Sequence, residues 1–334
     1  MPERHALMAN FLTANGWGGV TITPLAGDAS FRRYFRLVKG DRRAVLMDAA
    51  APQEDVRPFA VMARNLRSID LHAPEVLAED LENGLLLLED LGDDTYTRVL
   101  AEGGDEKKLY KLAVDVLIHI HRFLPQRSVP EGFTPYGDEK LLEETLLLTD
   151  WYMPAMLGAP TPEEVREEFR QAWLSVFPLV HAQPQVLVLK DYHADNLMWL
   201  PENDSLKACG LLDFQDAVSG PGVYDLMSLL EDARRDIDPK LAKDMQTHYR
   251  LAFPGMDWDA FMAAYAIVAA QRHAKVIGIF TRLCVRDSKP GYLVHIPRVW
   301  RLLEQAAAHP ALAQVADWLE RRIPKDKRNI PQCP

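Results

Sequence analysis

The chain has 334 residues, of which 48% are hydrophobic and 26% are charged, so it is long enough for about two domains and too apolar for a disordered protein. Its 38 basic and 48 acidic residues leave a net charge of −10, which argues against a general nucleic-acid binder. Three cysteines without a CxxC motif, no apolar run near the ~20 residues that span a bilayer and no signal-peptide pattern predict a cytoplasmic protein without membrane insertion.

The first 88 residues predict a small sheet that carries one helix. A helix over 5–15 comes first, and a second segment with helical periodicity lies among the strands. Polar turns at Gly27-Asp-Ala-Ser30 and Gly40-Asp41 separate neighbouring strands. The strands are predicted over 20–25, 31–38, 43–47, 74–78 and 85–88, and the inserted helix over 55–69. We therefore assign 1–88 to an N-terminal lobe.

The rest of the chain predicts helices around one short group of strands. Residues 89–92 are a candidate hinge, and 93–334 form the second lobe. Helices are predicted over 107–123, over 141–153, from a capping box at Thr161-Pro-Glu-Glu164 to about His181, and from Tyr224 onward with breaks at Pro239, Pro254, Pro290 and Pro310. Strands are predicted over 186–189, 197–200 and 208–214. The fold class is α+β, with a small N-terminal antiparallel sheet plus one helix and a larger, mainly helical C-terminal lobe.

Two segments in this group of strands carry the strongest functional pattern. Asp191-Tyr-His-Ala-Asp-Asn196 follows the first strand, and Asp213 ends the last strand in a D-F-x-D sequence. Aspartate and asparagine are common turn formers, but this spacing between strands is much rarer than a single such residue. Phosphoryl transfer needs a carboxylate that orients the acceptor hydroxyl and oxygen ligands that hold Mg²⁺ on the phosphates. The pattern therefore predicts phosphoryl transfer.

The order of motifs resembles the aminoglycoside phosphotransferase and choline kinase group over most of the chain. Gly27–Arg36 resembles the phosphate-loop hairpin of that group, and Leu117–His121 resembles its helix ending in Leu-x-x-Leu-His. Tyr224–Leu226 resembles the element that follows its metal-binding aspartate. The resemblance implies a protein-kinase-like two-lobe fold with ATP in the cleft under 89–92.

The same resemblance implies roles for individual residues. Asp191 is expected to be the catalytic base, and Asn196 and Asp213 are expected to hold Mg²⁺. The backbone of the 27–30 turn and the hydroxyl of its serine are expected to cover the phosphates. The nucleotide-binding residues implied in this way are Gly27, Asp28, Ser30, Glu89 and Leu91.

Within the group, three stretches resemble bacterial cell-wall sugar kinases that phosphorylate the anomeric hydroxyl of N-acetylmuramate and N-acetylglucosamine in peptidoglycan recycling. They are Gly27–Tyr34, Leu46–Ala50 and Lys289–Trp300. Residues 271–301 hold seven Lys or Arg against the single acid Asp287, which favours an anionic acceptor such as a sugar with a carboxylate. The expected acceptor-binding residues are His193, Arg272, His273 and Lys275. An aminoglycoside or another small alcohol is the alternative acceptor, and the oligomeric state stays open.

The sequence departs from the family pattern at two positions. The usual His-Gly-Asp of the catalytic loop is replaced by Leu189-Lys190-Asp191. A kinase-like third strand should carry a Lys for the nucleotide phosphates, but Met47 stands there, and 59–66 offers no Glu to pair with it. A non-catalytic nucleotide-binding pseudokinase is therefore the alternative from another class.

A different cation in the N-terminal hairpin is the competing explanation for the missing lysine. Arg32 and Arg36 share one face of the predicted strand over 31–38, and Arg33 takes the other face. Since arginine clamps phosphate with two hydrogen bonds, one of the three can replace the lysine. We expect Arg33 to bind the nucleotide, because the other two can pair with nearby acids. Since the base and both metal ligands are all present, we favour an active enzyme.

Overall fold

A computed structural model describes residues 2–25, 32–50, 54–122 and 134–332. The predicted phosphate-loop residues Gly27, Asp28 and Ser30 lie outside the described residues. Contacts divide the chain into two compact units, one formed by Met1–Val116 with Ala194–Ala217 and the other by Leu117–His193 with Val218–Pro334. No helix in the described part of the chain is long and apolar enough to cross a bilayer.

The described residues form strands in both halves of the chain and helices throughout. The strands are β1 (Thr21–Pro24), β2 (Arg33–Lys39), β3 (Arg42–Asp48), β4 (Val76–Asp80), β5 (Leu85–Leu88), β6 (Gln185–Val188), β7 (Leu197–Trp199), β8 (Cys209–Leu211) and β9 (Val218–Pro221). The helices are α1 (Pro2–Ala14), α2 (Arg57–Ser68), α3 (Tyr96–Ala101), α4 (Glu106–Arg122), α5 (Asp138–Thr145), α6 (Met153–Leu157), α7 (Glu163–Leu174), α8 (Phe177–His181), α9 (Val223–Leu230), α10 (Pro239–Ala252), α11 (Trp258–Val285), α12 (Ile296–Ala307) and α13 (Ala313–Arg322). The predicted α+β composition is confirmed.

The first unit contains a five-stranded antiparallel sheet with the order β1-β2-β3-β5-β4. The β2–β3 hairpin turns at Gly40, whose φ of 58° suits glycine because it has no Cβ. Helix α1 packs Phe11 and Leu12 against Leu46 and Leu87 of the sheet. Helix α2, the predicted inserted helix, follows β3 and has a buried apolar side. The central strands β3 and β5 are buried along most or all of their length, whereas the edge strand β1 is exposed.

The short β7–β8 hairpin belongs to this first unit although it begins more than 100 residues after β5, the last strand of the five-stranded sheet along the chain. Its strands join the earlier residues through isolated bridges between Thr95 and Met198 and between His72 and Gly210. The strand predicted over 208–214 ends at Leu211, and Asp213 then adopts a φ of 56°. This turn out of the strand determines where the Asp213 carboxylate lies.

The second unit is built around α11, a 28-residue helix. Strand β6, predicted over 186–189, pairs antiparallel with β9, which the sequence did not predict, whereas the other two predicted strands form the separate β7–β8 hairpin. The capping box predicted at Thr161 is wrong, because the Thr161 hydroxyl donates to the Thr149 carbonyl and the helix begins at Glu163 without a side-chain cap. The single helix expected up to His181 is two helices, and the second has Pro178 in its first turn.

The predicted helix over 141–153 also differs from the structure. It begins earlier, at Asp138, and passes through a π-helical turn over Leu148–Tyr152 before α6. Gly278 of α11 faces this segment, where a Cβ would come within 2.4 Å of the Leu147 backbone. Cys209 is a buried free thiol.

Candidate active site

The first unit holds a cavity of about 530 Å³ beside its sheet, within the range of small-molecule and cofactor sites. Strands β2, β3 and β5 line one side, and the β7–β8 hairpin lines the other. Most of the lining is apolar, from Leu25, Val45, Phe59, Pro74, Leu88, Leu91, Met198 and Leu212. Phe59 stacks on Phe214 with ring centroids 4.8 Å apart. The cavity thus combines an apolar lining with a few polar side chains, as small-molecule and cofactor sites do.

The predicted hinge residues Glu89 and Leu91 line this cavity. The Glu89 carboxylate contacts the ring of His72 at 3.3 Å and accepts the backbone N–H of Glu75 at 3.0 Å. The hydrogen bond from His72 lowers the pKa of Glu89, so this side chain is a carboxylate at neutral pH. Arg36 pairs with the carboxylate of Asp90 at 2.7 Å. The segment after β5 is thus held in place by ion pairs.

At another part of the cavity lie Asn196 and Asp213. The Asn196 amide donates to Asp213 Oδ2 at 3.4 Å, and Gln215 donates to Asp213 Oδ1 at 2.8 Å. The backbone N–H of Leu212 donates to the Asn196 carbonyl at 3.0 Å. These bonds bring together the two residues that the sequence predicted as metal ligands.

This pair has the donor chemistry that Mg²⁺ requires. One carboxylate and one amide oxygen are hard ligands, and Mg²⁺ is commonly held by one or two such groups while phosphates and water complete the shell. A rotation of the Asn196 amide would present its oxygen beside Asp213. Elsewhere among the described residues, no cluster of three His, Cys, Asp or Glu side chains could hold a metal alone. The Asn196–Asp213 pair therefore fits Mg²⁺ bound together with a phosphorylated ligand.

The three arginines of the N-terminal hairpin have different surroundings. Arg32 and Arg36 line the cavity, together with Tyr34 between them. Burial raises the pKa of Tyr34 to about 12, so its hydroxyl stays protonated. Arg33, the cation we expected to bind the nucleotide, does not line the cavity, and its guanidinium pairs with the buried carboxylate of Asp48. Met47 is completely buried.

Asp191 lies in the second unit, three residues after Val188, the last residue of β6. Just before it, Lys190 has a φ of 69°, the left-handed region that costs an L-residue about 1–2 kcal/mol. The backbone amides of Leu189 and Lys190 both donate to the carboxylate of Asp225, at 2.6 and 2.9 Å. Burial raises the pKa of Asp225 to about 7 despite these hydrogen bonds. Asp225 thus fixes the loop that presents Asp191.

Arg272 of α11 contacts Asp191 directly. Its guanidinium donates to Asp191 Oδ1 at 3.2 Å, to the Lys190 carbonyl at 3.0 Å and to the Tyr224 hydroxyl at 3.2 Å. Burial alone would raise the pKa of Asp191, but the charges of Arg272 and its basic neighbours hold that pKa well below its usual range. Asp191 is therefore ionised at neutral pH and can accept a hydrogen bond from a hydroxyl group.

A buried charge cluster lies behind this carboxylate. Glu144 of α5 accepts from Lys190 at 2.8 Å and pairs with Lys275 at 3.1 Å. The Tyr136 hydroxyl also donates to Glu144. Burial opposes ionisation of Glu144, but the two lysines outweigh it and lower its pKa to about 2. Lys275, which we expected to bind the acceptor, is thus an internal ion-pair partner in this structure.

The two predicted acceptor-binding histidines are buried. His193 lies 3.5 Å from a guanidinium nitrogen of Arg234, and burial lowers its pKa, so it is neutral at pH 7. His273 contacts the carboxylate of Glu231 at 2.7 Å. Their assignment to the acceptor stays a prediction. The sequence analysis missed Glu144 altogether, because no local motif marks a residue that pairs with partners far along the chain.

Known proteins resemble the chain over most of its length. A family model described as the phosphotransferase enzyme family matches residues 21–262. The chain is 37% identical to an N-acetylmuramate/N-acetylglucosamine kinase of Caulobacter vibrioides, over 98% of each chain. It is 39% identical to the Pseudomonas aeruginosa protein of the same name, over 93% of this chain and 92% of that one.

Solved structures resemble the chain at lower identity. Choline kinase LicA from Streptococcus pneumoniae has a TM-score of 0.65 at 12% identity and covers 92% of this chain and 100% of its own. Aminoglycoside phosphotransferase APH(2'')-Ib, solved with ADP bound, has a TM-score of 0.56 at 17% identity and covers 91% and 98%. These likenesses confirm the predicted protein-kinase-like α+β fold.

Proposed function

The chain belongs to the phosphotransferase enzyme family, and we propose that it transfers the γ-phosphoryl group of ATP, with Mg²⁺, to the anomeric hydroxyl of N-acetylmuramate or N-acetylglucosamine. The observation that carries the proposal is the cavity of the first unit, which is of nucleotide size, apolar along most of its length, and bounded by Asn196 and Asp213. The names of the curated relatives support the choice of acceptor. The reaction would belong to peptidoglycan recycling in the cytoplasm.

The roles of the residues follow from their chemistry. Asp191 orients the acceptor hydroxyl and takes its proton while the new oxygen–phosphorus bond forms and the bond to the β-phosphate oxygen breaks, which leaves ADP. Arg272 donates to Oδ1 of this carboxylate at 3.2 Å and so helps to fix its orientation. Asn196 and Asp213 would hold Mg²⁺. When bound, the ion would neutralise charge on the phosphates.

Arg272 and Lys275 have acidic partners inside the protein, Asp191 and Glu144. We keep their role in acceptor binding as a proposal. If either cation binds the lactyl carboxylate, its removal should lower kcat/KM for N-acetylmuramate about 10-fold or more, the scale of a hydrogen bond to a charged group. N-acetylglucosamine, which lacks that carboxylate, should lose much less.

The test of the function is an ATP-consumption assay with a panel of acceptors, read by product mass. N-acetylmuramate and N-acetylglucosamine should each gain one phosphate, and kanamycin and choline should not. D191N should lower kcat about 100-fold or more, as expected for a positioned proton acceptor, and should leave nucleotide affinity unchanged. Turnover of kanamycin or choline alone would replace the proposed acceptor, and nucleotide binding without turnover of any acceptor would favour the pseudokinase.

A further inference from the structure

The nucleotide phosphates need a cation, and no Lys or Arg of β3 lines the cavity. In kinase-like sites a lysine on this strand, paired with a glutamate, contacts the phosphates. Met47 stands there instead and is completely buried opposite Tyr34 of β2. Among the described residues that line the cavity, the Lys or Arg side chains are Arg32 and Arg36.

These two arginines differ in their partners. Arg36 pairs with Asp90 and Asp93, each at 2.7 Å, and also donates to the Gly92 carbonyl at 3.0 Å. It is therefore part of the ion pairs that hold the segment after β5. Arg32 makes longer ion pairs, with its Nε 3.6 Å from Glu54 and its Nη2 3.8 Å from Asp216.

Arg32 and Glu54 lie where two cavities meet. Both residues line the 530 Å³ cavity described above. Both also line a second cavity of about 500 Å³, together with Gln215 and Asp216. Their side chains are mostly buried, with 12% and 19% of their surface exposed. The ion pair is thus largely shielded from solvent, where a charge-assisted contact to phosphate is stronger than at the open surface.

Hydrogen bonds connect this ion pair to the predicted metal site. The Gln215 amide donates to Asp213 Oδ1 at 2.8 Å and to Asp216 Oδ2 at 3.2 Å. Asp216 in turn is the second carboxylate beside Arg32. Arg32 is therefore connected through Asp216 and Gln215 to Asp213, the residue expected to hold Mg²⁺ beside the phosphates.

We propose that Arg32, oriented by Glu54, binds the phosphates of the nucleotide and takes the place of the lysine missing at Met47. This inference rests on the proposed kinase function. A guanidinium can donate two parallel hydrogen bonds to phosphate while Glu54 holds its other edge. The Arg32–Glu54 pair then plays the part of the lysine–glutamate pair, with the cation on β2's N-terminal side instead of on β3.

The test is calorimetric titration of the full chain with ATP, ADP and adenosine in the presence of Mg²⁺. R32A should weaken ATP and ADP about 10-fold or more, the scale of a lost hydrogen bond to a charged group, and should change adenosine affinity less than about 2-fold. E54Q should weaken ATP in the same direction by a smaller factor, and R32K should retain part of the affinity. R43A removes an exposed arginine of β3 and is the matched control.

The outcomes separate the two proposals. If wild-type protein binds ATP and R32A binds it equally well, the role of Arg32 is refuted while the kinase function stands. A larger loss of ATP affinity in R33A than in R32A would return the role to Arg33. If R32A does not fold by thermal denaturation, then unchanged ATP affinity in both R32K and E54Q refutes the role. Wild-type protein that binds no nucleotide refutes both proposals.

Discussion

Removing the cation that contacts Asp191 should destabilise the protein in a pH-dependent way. R272M deletes the guanidinium that donates to Asp191, to the Lys190 carbonyl and to the Tyr224 hydroxyl, and it keeps the apolar stem. Breaking a fully buried ion pair by removing one partner costs about 3–5 kcal/mol. The Asp191 side chain keeps 35% of its surface exposed, and water will screen the remaining charge, so we expect about 2–3 kcal/mol at pH 7.

The sign of the pH dependence follows from the pKa of Asp191. In the wild type this pKa lies below its unfolded value of about 3.9, so the carboxylate contributes stability above pH ~4 and loses it as the pH falls. Without Arg272, burial raises the pKa of Asp191 relative to the wild type, and the folded variant takes up a proton more easily. The destabilisation should therefore be largest at neutral pH and shrink towards pH 4.

Urea denaturation at pH 7.5 and pH 4.5 measures this difference. R298M is the matched control, because Arg298 pairs with Asp236, whose side chain is 63% exposed, and such surface pairs contribute about 0–1 kcal/mol. A cost for R272M that is the same at both pH values would show that the loss comes from packing and not from the Asp191 charge. R272K, which keeps a cation but not the fork of donors, should lie between the wild type and R272M.

Three further expectations concern residues near the same loops. In urea denaturation, the free energy of unfolding of K190G should exceed that of K190A by about 0.5–1 kcal/mol, because glycine relieves the left-handed strain at φ 69°. Equal stabilities, or a more stable K190A, would contradict this expectation. D213A should weaken Mg²⁺-dependent ATP binding in calorimetry more than D216A, since Asp213 contacts Asn196. Burial raises the pKa of Asp225 to about 7, so the contribution of this group to the free energy of unfolding is present at low pH and is lost as the pH rises through 7. The free energies of unfolding measured with urea at pH 5.5 and pH 8.5 should therefore differ less in D225N than in the wild type.

Local patterns in the sequence predicted the parts of the site that depend on neighbours in the chain. Asn196 and Asp213 stand on either side of the β7–β8 hairpin, so their places in the sequence predicted their proximity, and the Asn196 amide donates to Asp213 at 3.4 Å. Alternation along β2 also placed Arg32 and Arg36 on one face, and both line the cavity. We expected Arg33 at the nucleotide because the other two arginines could pair with acids; they do pair with acids, but they line the cavity.

The parts that the sequence did not predict depend on long-range contacts. The Lys190–Glu144 hydrogen bond joins residues 46 positions apart, and the Arg272–Asp191 bond spans 81 positions. Arg272 was singled out from the sequence as an acceptor-binding cation, but its pairing with Asp191 was not, and nothing in the composition of α5 distinguishes Glu144 from the solvated acids around it. The predicted capping box near Thr161 failed for a similar reason, because the hydroxyl is oriented by a bond to the Thr149 carbonyl and the helix begins after Pro162 without a side-chain cap.

The discontinuity of the first unit has a consequence for biosynthesis. Met1–Val116 leaves the ribosome well before Ala194–Ala217, and about 80 residues of the second unit are made in between. At 5–20 residues per second this interval lasts about 4–16 s. During it the sheet lacks the β7–β8 hairpin, so Met198 and Leu212 are absent from the cavity and Leu88 is left without that covering. The nascent chain therefore presents an unfinished apolar surface to chaperones, and it cannot acquire its nucleotide before residue 213 has emerged.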